Sequence, residues 1–225
     1  MDEKFLARTV LFRGSSPEEI RSMLGCLGPE EKSYRRGEVV HRAGDVIHTI
    51  GVVLSGSVSI ENDDVWGNKS ILDRAGPGQV FAETYACVPG EPLMISVVAA
   101  EPTRILFLDV ARVMGMCSNV CPFHGNLIRS LLAIASQKNL ILSRRILHTS
   151  AKSIRGRLLS YLSFQAIHQD RMEFDIPFNS QQLADYLSVD RSAMSHELSK
   201  MQRDGLLKVD RSHFVLVGIR PEDNF

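Results

Sequence analysis

The chain has 225 residues, 44% hydrophobic and 23% charged, with 26 Lys+Arg balancing 26 Asp+Glu. That is enough apolar material for one large core or two modest ones, and it excludes a disordered or strongly basic polypeptide. The N-terminal MDEKFLARTVLFRG lacks the apolar core of a signal peptide, no apolar stretch reaches spanning length, and four cysteines (Cys26, Cys87, Cys117, Cys121) are too few for a disulfide scaffold. A soluble protein of a reducing cytoplasm is therefore expected.

Charge is distributed almost evenly. Residues 1–140 carry 14 Lys+Arg against 16 Asp+Glu, giving −2, and residues 141–225 carry 12 against 10, giving +2. The C-terminal end thus leans toward a polyanionic partner without identifying one.

The first element is signalled by Ser16-Pro17-Glu18-Glu19, a Ser N-cap followed by proline and acids at the positive end of a helix. From about Tyr34 to Asp109, short strands are cut by glycine turns: Val39–His41, Gly51–Leu54, Ser57–Ile60, Ile95–Val98 and Arg104–Leu108. Regular short strands between turn signals predict a β-sandwich or barrel. From Pro122 to about His148, apolar residues recur at helical spacing (Leu127, Leu131, Ile134, Ile141, Leu142, Ile146), predicting a helix of about seven turns. Its stripe either pairs with the same helix of a second subunit or packs on the β domain.

The last third begins with a helix at Ser153–Leu162, then a short strand at Phe174–Phe178. Asn179 with Gln182 forms a capping-box-like start, and Leu183, Ala184 and Leu187 line one face of a short helix. Ser188-Val189-Asp190 makes a tight turn, with Asp190 as N-cap of a second helix whose inner face is Met194, Leu198 and Met201. Arg191, Ser192, Ser195, His196 and Ser199 fall on its outer face. A brace helix, a turn and a second helix with a polar outer face is the arrangement that reads the major groove. Arg191 suits a guanine edge or a phosphate. Ser180 and Gln181 at the start of the first helix suit phosphate. A hairpin turning at Asp210–Ser212, with Lys208, Arg211 and His213, is read as a wing touching the DNA backbone.

The run Asp190–Leu198 followed by Met201–Leu207 resembles the winged helix-turn-helix of the CRP/FNR superfamily of bacterial transcription regulators. Tyr34-x-x-Gly37-Glu38, Gly44-Asp45, Val53–Val58 and Gly78–Glu83 resemble that superfamily's β-roll sensor domain. The resemblance implies an α+β protein in three parts. An effector-sensing β-roll (a jelly-roll-like double-stranded β-helix) spans residues 1–118, a dimerisation helix 119–149 and the DNA-binding domain 150–225. It also implies a homodimer on a palindromic double-stranded DNA site, a small-molecule effector, and RNA polymerase as a further contact. No membrane role is expected.

Cyclic-nucleotide-binding members carry a Gly-Glu pair for the ribose and an Arg-Ser or Arg-Thr pair for the cyclic phosphate. Here Ala82-Glu83 keeps the carboxylate, and Leu93-Met94 stands where the arginine pair is expected. An unpaired buried phosphate is costly, so a cyclic nucleotide is not the expected effector. Glu83, Tyr85, Cys87, Leu93 and Met94, with Ile95, are the candidate lining for an apolar or aromatic molecule, or else they fill the core. The resemblance is then to the branch that senses small organic compounds. Cys117 and Cys121, four apart with His124 nearby, leave a redox or metal role open beside a plain packing role, while the absence of cysteine from residues 1–25 argues against the N-terminal iron–sulfur cluster of other members. His41, His48 and His124 are candidates should the sensor bind haem. Otherwise no cofactor is expected. No nucleophile–base set or phosphate-binding glycine loop is present, so the reading is a regulator and not an enzyme. A module acting through protein contacts is the competing class. The hinge for effector-driven reorientation is expected near His148–Lys152.

Overall fold

The computed structural model describes residues 2–63, 69–115 and 124–217. By packing, the chain divides into two units, Met1–Gln137 and Lys138–Phe225.

The first unit opens with two helices, α1 (Glu3–Leu6) and α2 (Pro17–Leu27). Ser16 caps α2 as its sequence indicates: the Ser16 hydroxyl accepts from the Glu19 amide and the Glu19 carboxylate accepts from the Ser16 amide. Eight strands follow: β1 (Glu30–Tyr34), β2 (Val39–His41), β3 (Thr49–Ser55), β4 (Val58–Asp63), β5 (Lys69–Ala75), β6 (Val80–Phe81), β7 (Ser96–Ala99) and β8 (Thr103–Asp109). The one-turn α3 (Glu83–Ala86) interrupts them and α4 (Val110–Met114) follows. They form two four-stranded antiparallel sheets, β1-β8-β3-β6 and β2-β7-β4-β5.

Strands β3 and β8 read as near-continuous apolar runs because both their faces are covered. Val53, Ile105 and Phe107 pack with Val58, Phe81 and Val97 between the sheets. On the opposite face, Ile50, Val52, Leu106 and Leu108 meet the α2 residues Ile20, Met23 and Leu27 and the α4 residues Val110 and Val113. Gly51 has no substitute here. A Cβ at that position would stand 2.2 Å from Cζ of the buried Phe81 ring.

The long helix α5 (His124–Thr149) has 26 residues. Its stripe divides. Leu127 and Leu131 are 1% and 4% exposed within the first unit's core, with Ile134 packed beside them. Leu132, Leu140, Ile141, Leu142, Ile146 and Leu147 are all exposed. Of the two destinations weighed from the sequence, packing on the β domain holds for the N-terminal turns, and the later apolar residues are exposed. Among the described residues, no helix is long and apolar enough to cross a membrane.

The second unit contains the end of α5, then α6 (Ile154–Gln169), β9 (Glu173–Asp175), α7 (Ser180–Leu187), α8 (Arg191–Arg203), β10 (Leu207–Asp210) and β11 (His213–Leu216). The strands form one antiparallel sheet in the order β10-β11-β9. Leu158, Tyr161 and Leu162 of α6 build the core with Leu183, Ala184, Leu187, Met194, Met201 and Phe214.

Candidate nucleic-acid interface

Helices α7 and α8 form from local signals. Asn179 and Gln182 exchange capping-box hydrogen bonds, each of 2.9 Å. Helix α7 stops at Ser188, which takes a left-handed conformation (φ 54°). Asp190 restarts the chain: its carboxylate accepts from the Ala193 amide at 2.8 Å and from the Ser192 hydroxyl at 2.5 Å. Both bonds hold that carboxyl below its ordinary pKa. Ala184, fully buried, provides the small side chain where α7 and α8 pack together.

This packing turns Met194 and Met201 inward and leaves Arg191, Ser192, Ser195, His196 and Ser199 exposed on α8, with Lys200 and Arg203 farther along. Ser180 and Gln181 are exposed at the start of α7. Arg211 is exposed at the hairpin turn with φ 55°, beside a groove lined by Pro177, Phe178, Asn179 and Ser180. All eight DNA-reading candidates are therefore on the surface of one unit. They are not equally available. Ser192 is held by Asp190, Ser199 donates to the Ser195 carbonyl at 3.0 Å, and Gln181 donates to Asp185 at 2.8 Å. The side chains of Arg191, Ser195 and His196 make no hydrogen bond with another described residue.

The structure changes the reading of His213. Its two ring nitrogens lie 3.1 Å from Asp175 and 3.2 Å from Glu173, across the β9–β11 pairing. The hydrogen bond to Asp175 and then that to Glu173 raise its pKa, so the acids of β9 engage this imidazole first. Sequence spacing could not reveal that, because the partners are 38 and 40 residues away.

Sequence reasoning also missed how α8 is held. Arg155 of α6 pairs with Glu197 at 2.6 Å and with Asp204 at 2.7 Å, and the Gln202 side chain accepts from the Val209 amide at 3.1 Å. The only local hint is that Glu197 interrupts an otherwise neutral or basic helix. Such charge-assisted bonds from a planar guanidinium fix orientation as well as adding attraction.

In the first unit, Glu83 starts α3 and is 2% exposed, and Ala82 before it is left-handed (φ 64°), a conformation that favours glycine. Tyr85 and Leu93 join the hydrophobic cluster beneath the helices, whereas Cys87 is exposed and Met94 is 74% exposed. The five candidates therefore differ in burial, from the enclosed Glu83 and Leu93 to the exposed Cys87 and Met94. Leu93 is pinned through both its backbone groups, to Asp45 and Gly44, and its neighbour Met94 stands exposed in the bend that precedes β7. His41 is half-buried, 5.7 Å edge-on to Phe107; His48 is exposed; His124 is 6% exposed. Cys117 and Cys121 lie outside the described residues. Among the described residues, no three His, Cys, Asp or Glu side chains come together to hold a metal.

Residues 31–119 match the family model of the cyclic nucleotide-binding domain, and residues 156–219 match that of the Crp-like helix-turn-helix domain. Among solved structures, a CprK variant complexed with OCPA is 17% identical, with 88% of this chain and 89% of that one covered and a TM-score of 0.61. The c-di-GMP-responsive global regulator CLP of Xanthomonas campestris is 18% identical over 91% and 100% of the two chains, with a TM-score of 0.54. A cyclic nucleotide-binding domain from Methylobacillus flagellatus is 20% identical over 64% and 79%, with a TM-score of 0.53. No curated protein matches the chain. At these identities the solved structures establish the fold, and the two domain models, in this order and together spanning more than half the chain, establish the family. The chain belongs to the CRP/FNR superfamily of DNA-binding transcription regulators with an effector-binding domain.

Proposed function

We propose that the protein is a homodimeric, effector-controlled regulator that reads a palindromic DNA site with α8. The observation that carries this is the outer face of α8, where Arg191, Ser195 and His196 stand exposed above a packed inner face, with a further exposed cation, Arg211, by the start of α7. Short polar donors and acceptors on a braced helix suit base edges, and flanking cations suit phosphates. Ser180, Gln181, Ser192 and Ser199 border that face. DNA selection from a random pool is the test: one enriched palindrome, bound with an affinity that falls steeply with salt, supports the reading. Enrichment of no sequence, with or without effector, overturns it.

The second subunit is inferred from the exposed apolar residues of α5. Leu132, Leu142 and Ile146 fall on the a and d positions of a heptad, with Asn139 at the a position between Leu132 and Ile146. A lone asparagine at such a position favours one register. Sedimentation at micromolar concentration distinguishes dimer from monomer.

The effector of this reading is not a cyclic nucleotide, because Leu93-Met94 offers no cation for a cyclic phosphate. Among the solved structures similar in fold, CprK is complexed with OCPA and CLP is c-di-GMP-responsive, which suits a sensor fold that accepts varied chemistry. A small apolar or aromatic molecule near Glu83, Tyr85 and Leu93 fits the apolar replacements best. Cyclic AMP binding measured by calorimetry at micromolar affinity overturns this part. RNA polymerase is the partner through which a bound dimer acts.

A further inference from the structure

Within the second unit, the end of α5 is fastened to the helices that follow it by three side chains of its last two turns. Arg145 donates from Nε to the Tyr186 carbonyl at 3.2 Å and from Nη2 to the Asp185 carbonyl at 3.1 Å, with its guanidinium 5.9 Å from the Tyr186 ring centroid. His148 is 1% exposed; its Nδ1 lies 3.0 Å from the Ser160 hydroxyl, and its ring meets Tyr161 edge-on at 5.6 Å. Arg144 lies over Phe164 at 5.2 Å.

The carbonyls taken by Arg145 belong to the C-terminal end of α7, which carries partial negative charge; the Asp185 carbonyl also accepts from the Ser188 amide at 3.2 Å. Arg157 of α6 takes the next two, Leu187 at 3.0 Å and Ser188 at 2.8 Å. Two guanidinium groups thus hold four consecutive carbonyls leading into the turn that launches α8. The segment between α5 and α6 is pinned as well: Arg157 Nε donates to the Ala151 carbonyl at 2.9 Å, and the Ser150 hydroxyl donates to the Leu147 carbonyl at 2.8 Å. The hinge expected at His148–Lys152 therefore falls inside a fastened segment of the second unit.

We propose that Arg145 is a positioning residue for DNA reading: it locks the last turns of α5 to the end of α7, so that these turns and the helix-turn-helix rotate as one body. Any swivel is then taken up on the N-terminal side of Arg144. Resting on the reading of a dimer paired through α5, the same lock sets the separation of the two α8 helices and hence of the two half-sites.

The test uses the full-length protein, Arg145→Ala and Arg145→Lys, with the palindrome selected by the wild type, the same palindrome lengthened by one base pair, and a single half-site. Wild type is expected to lose at least about tenfold in affinity on the lengthened site. Arg145→Ala is expected to lose about tenfold on the selected palindrome and to keep only about a threefold penalty for lengthening, with half-site affinity unchanged. Arg145→Lys, which keeps the charge but not the two-pronged geometry, is expected to fall between them. An equal loss on half-site and palindrome with the spacing penalty intact overturns the proposal, because that pattern marks a DNA contact or general destabilisation. Hydrogen exchange without DNA is the second readout. Amides of residues 144–149 and 185–190 should lose protection together in Arg145→Ala, and unchanged protection overturns the lock. If wild type ignores spacing altogether, the dimer reading falls while exchange still decides the lock.

Discussion

Leu142→Asp should separate the subunits without unfolding the chain. Leu142 is 59% exposed, so about 1–2 kcal/mol of the roughly 1.5–3 kcal/mol available from burying a leucine remains to be gained on pairing. A two-fold seam loses that gain in both copies, about 2–4 kcal/mol. It also brings two carboxylates together, which at about 4 Å and an effective dielectric near 20 repel by up to about 4 kcal/mol. The sum lies between about 2 and 8 kcal/mol, and a value of about 4 kcal/mol corresponds to a dimer weakened roughly a thousandfold. Sedimentation velocity from micromolar to tens of micromolar should show monomer, with far-ultraviolet circular dichroism unchanged. Leu127→Asp is the contrasting control. Leu127 is 1% exposed in the first unit's core, so its substitution should unfold that unit. If Leu142→Asp sediments as a dimer, the exposed half of the α5 stripe is not the seam.

Ala184→Leu should destabilise the second unit by about 1–3 kcal/mol, seen as a lower urea midpoint, because three extra carbons have no room between α7 and α8. Arg191→Ala should cost about 1–3 kcal/mol of DNA affinity and, if the contact is to a base, relax selection at one position of each half-site. Ala82→Gly should raise the first unit's unfolding midpoint, gaining about 1 kcal/mol, since a left-handed alanine is strained by its Cβ. The two perturbed histidines of the second unit should give opposite pH slopes. The raised pKa of His213 makes its contribution complete below the ordinary imidazole value near 6.5 and lost as pH rises through the folded value. Burial and then Arg144 lower the pKa of His148, so its contribution is complete above about 6.5 and lost as pH falls toward the folded value. His213→Gln and His148→Gln should each remove one slope from urea titrations between pH 5 and 8. Persistence of both slopes in the double variant refutes the assignment.

What could be read from residue order was whatever depends on neighbours within a turn or two. The caps at Ser16, Asn179 and Asp190 formed as expected because each pairs a side chain with an amide three residues on. The short strands, the long helix and the two helices of the DNA reader followed from periodicity in the same way. The strands β1, β5 and β6 and the short helices α1, α3 and α4 were not read individually.

The family and the order of its parts were likewise legible, since those rest on local motifs in sequence. Tertiary structure decided the rest: that Leu127 and Leu131 turn into the first unit while Leu142 and Ile146 stay uncovered, that Leu93 goes inward and Met94 outward, and that Arg145 and Arg157 close the end of α7. Each of those outcomes depends on a partner or a packed surface contributed by a distant part of the chain. Helical spacing says which residues share a face, but only the packed neighbours determine which of them are removed from water.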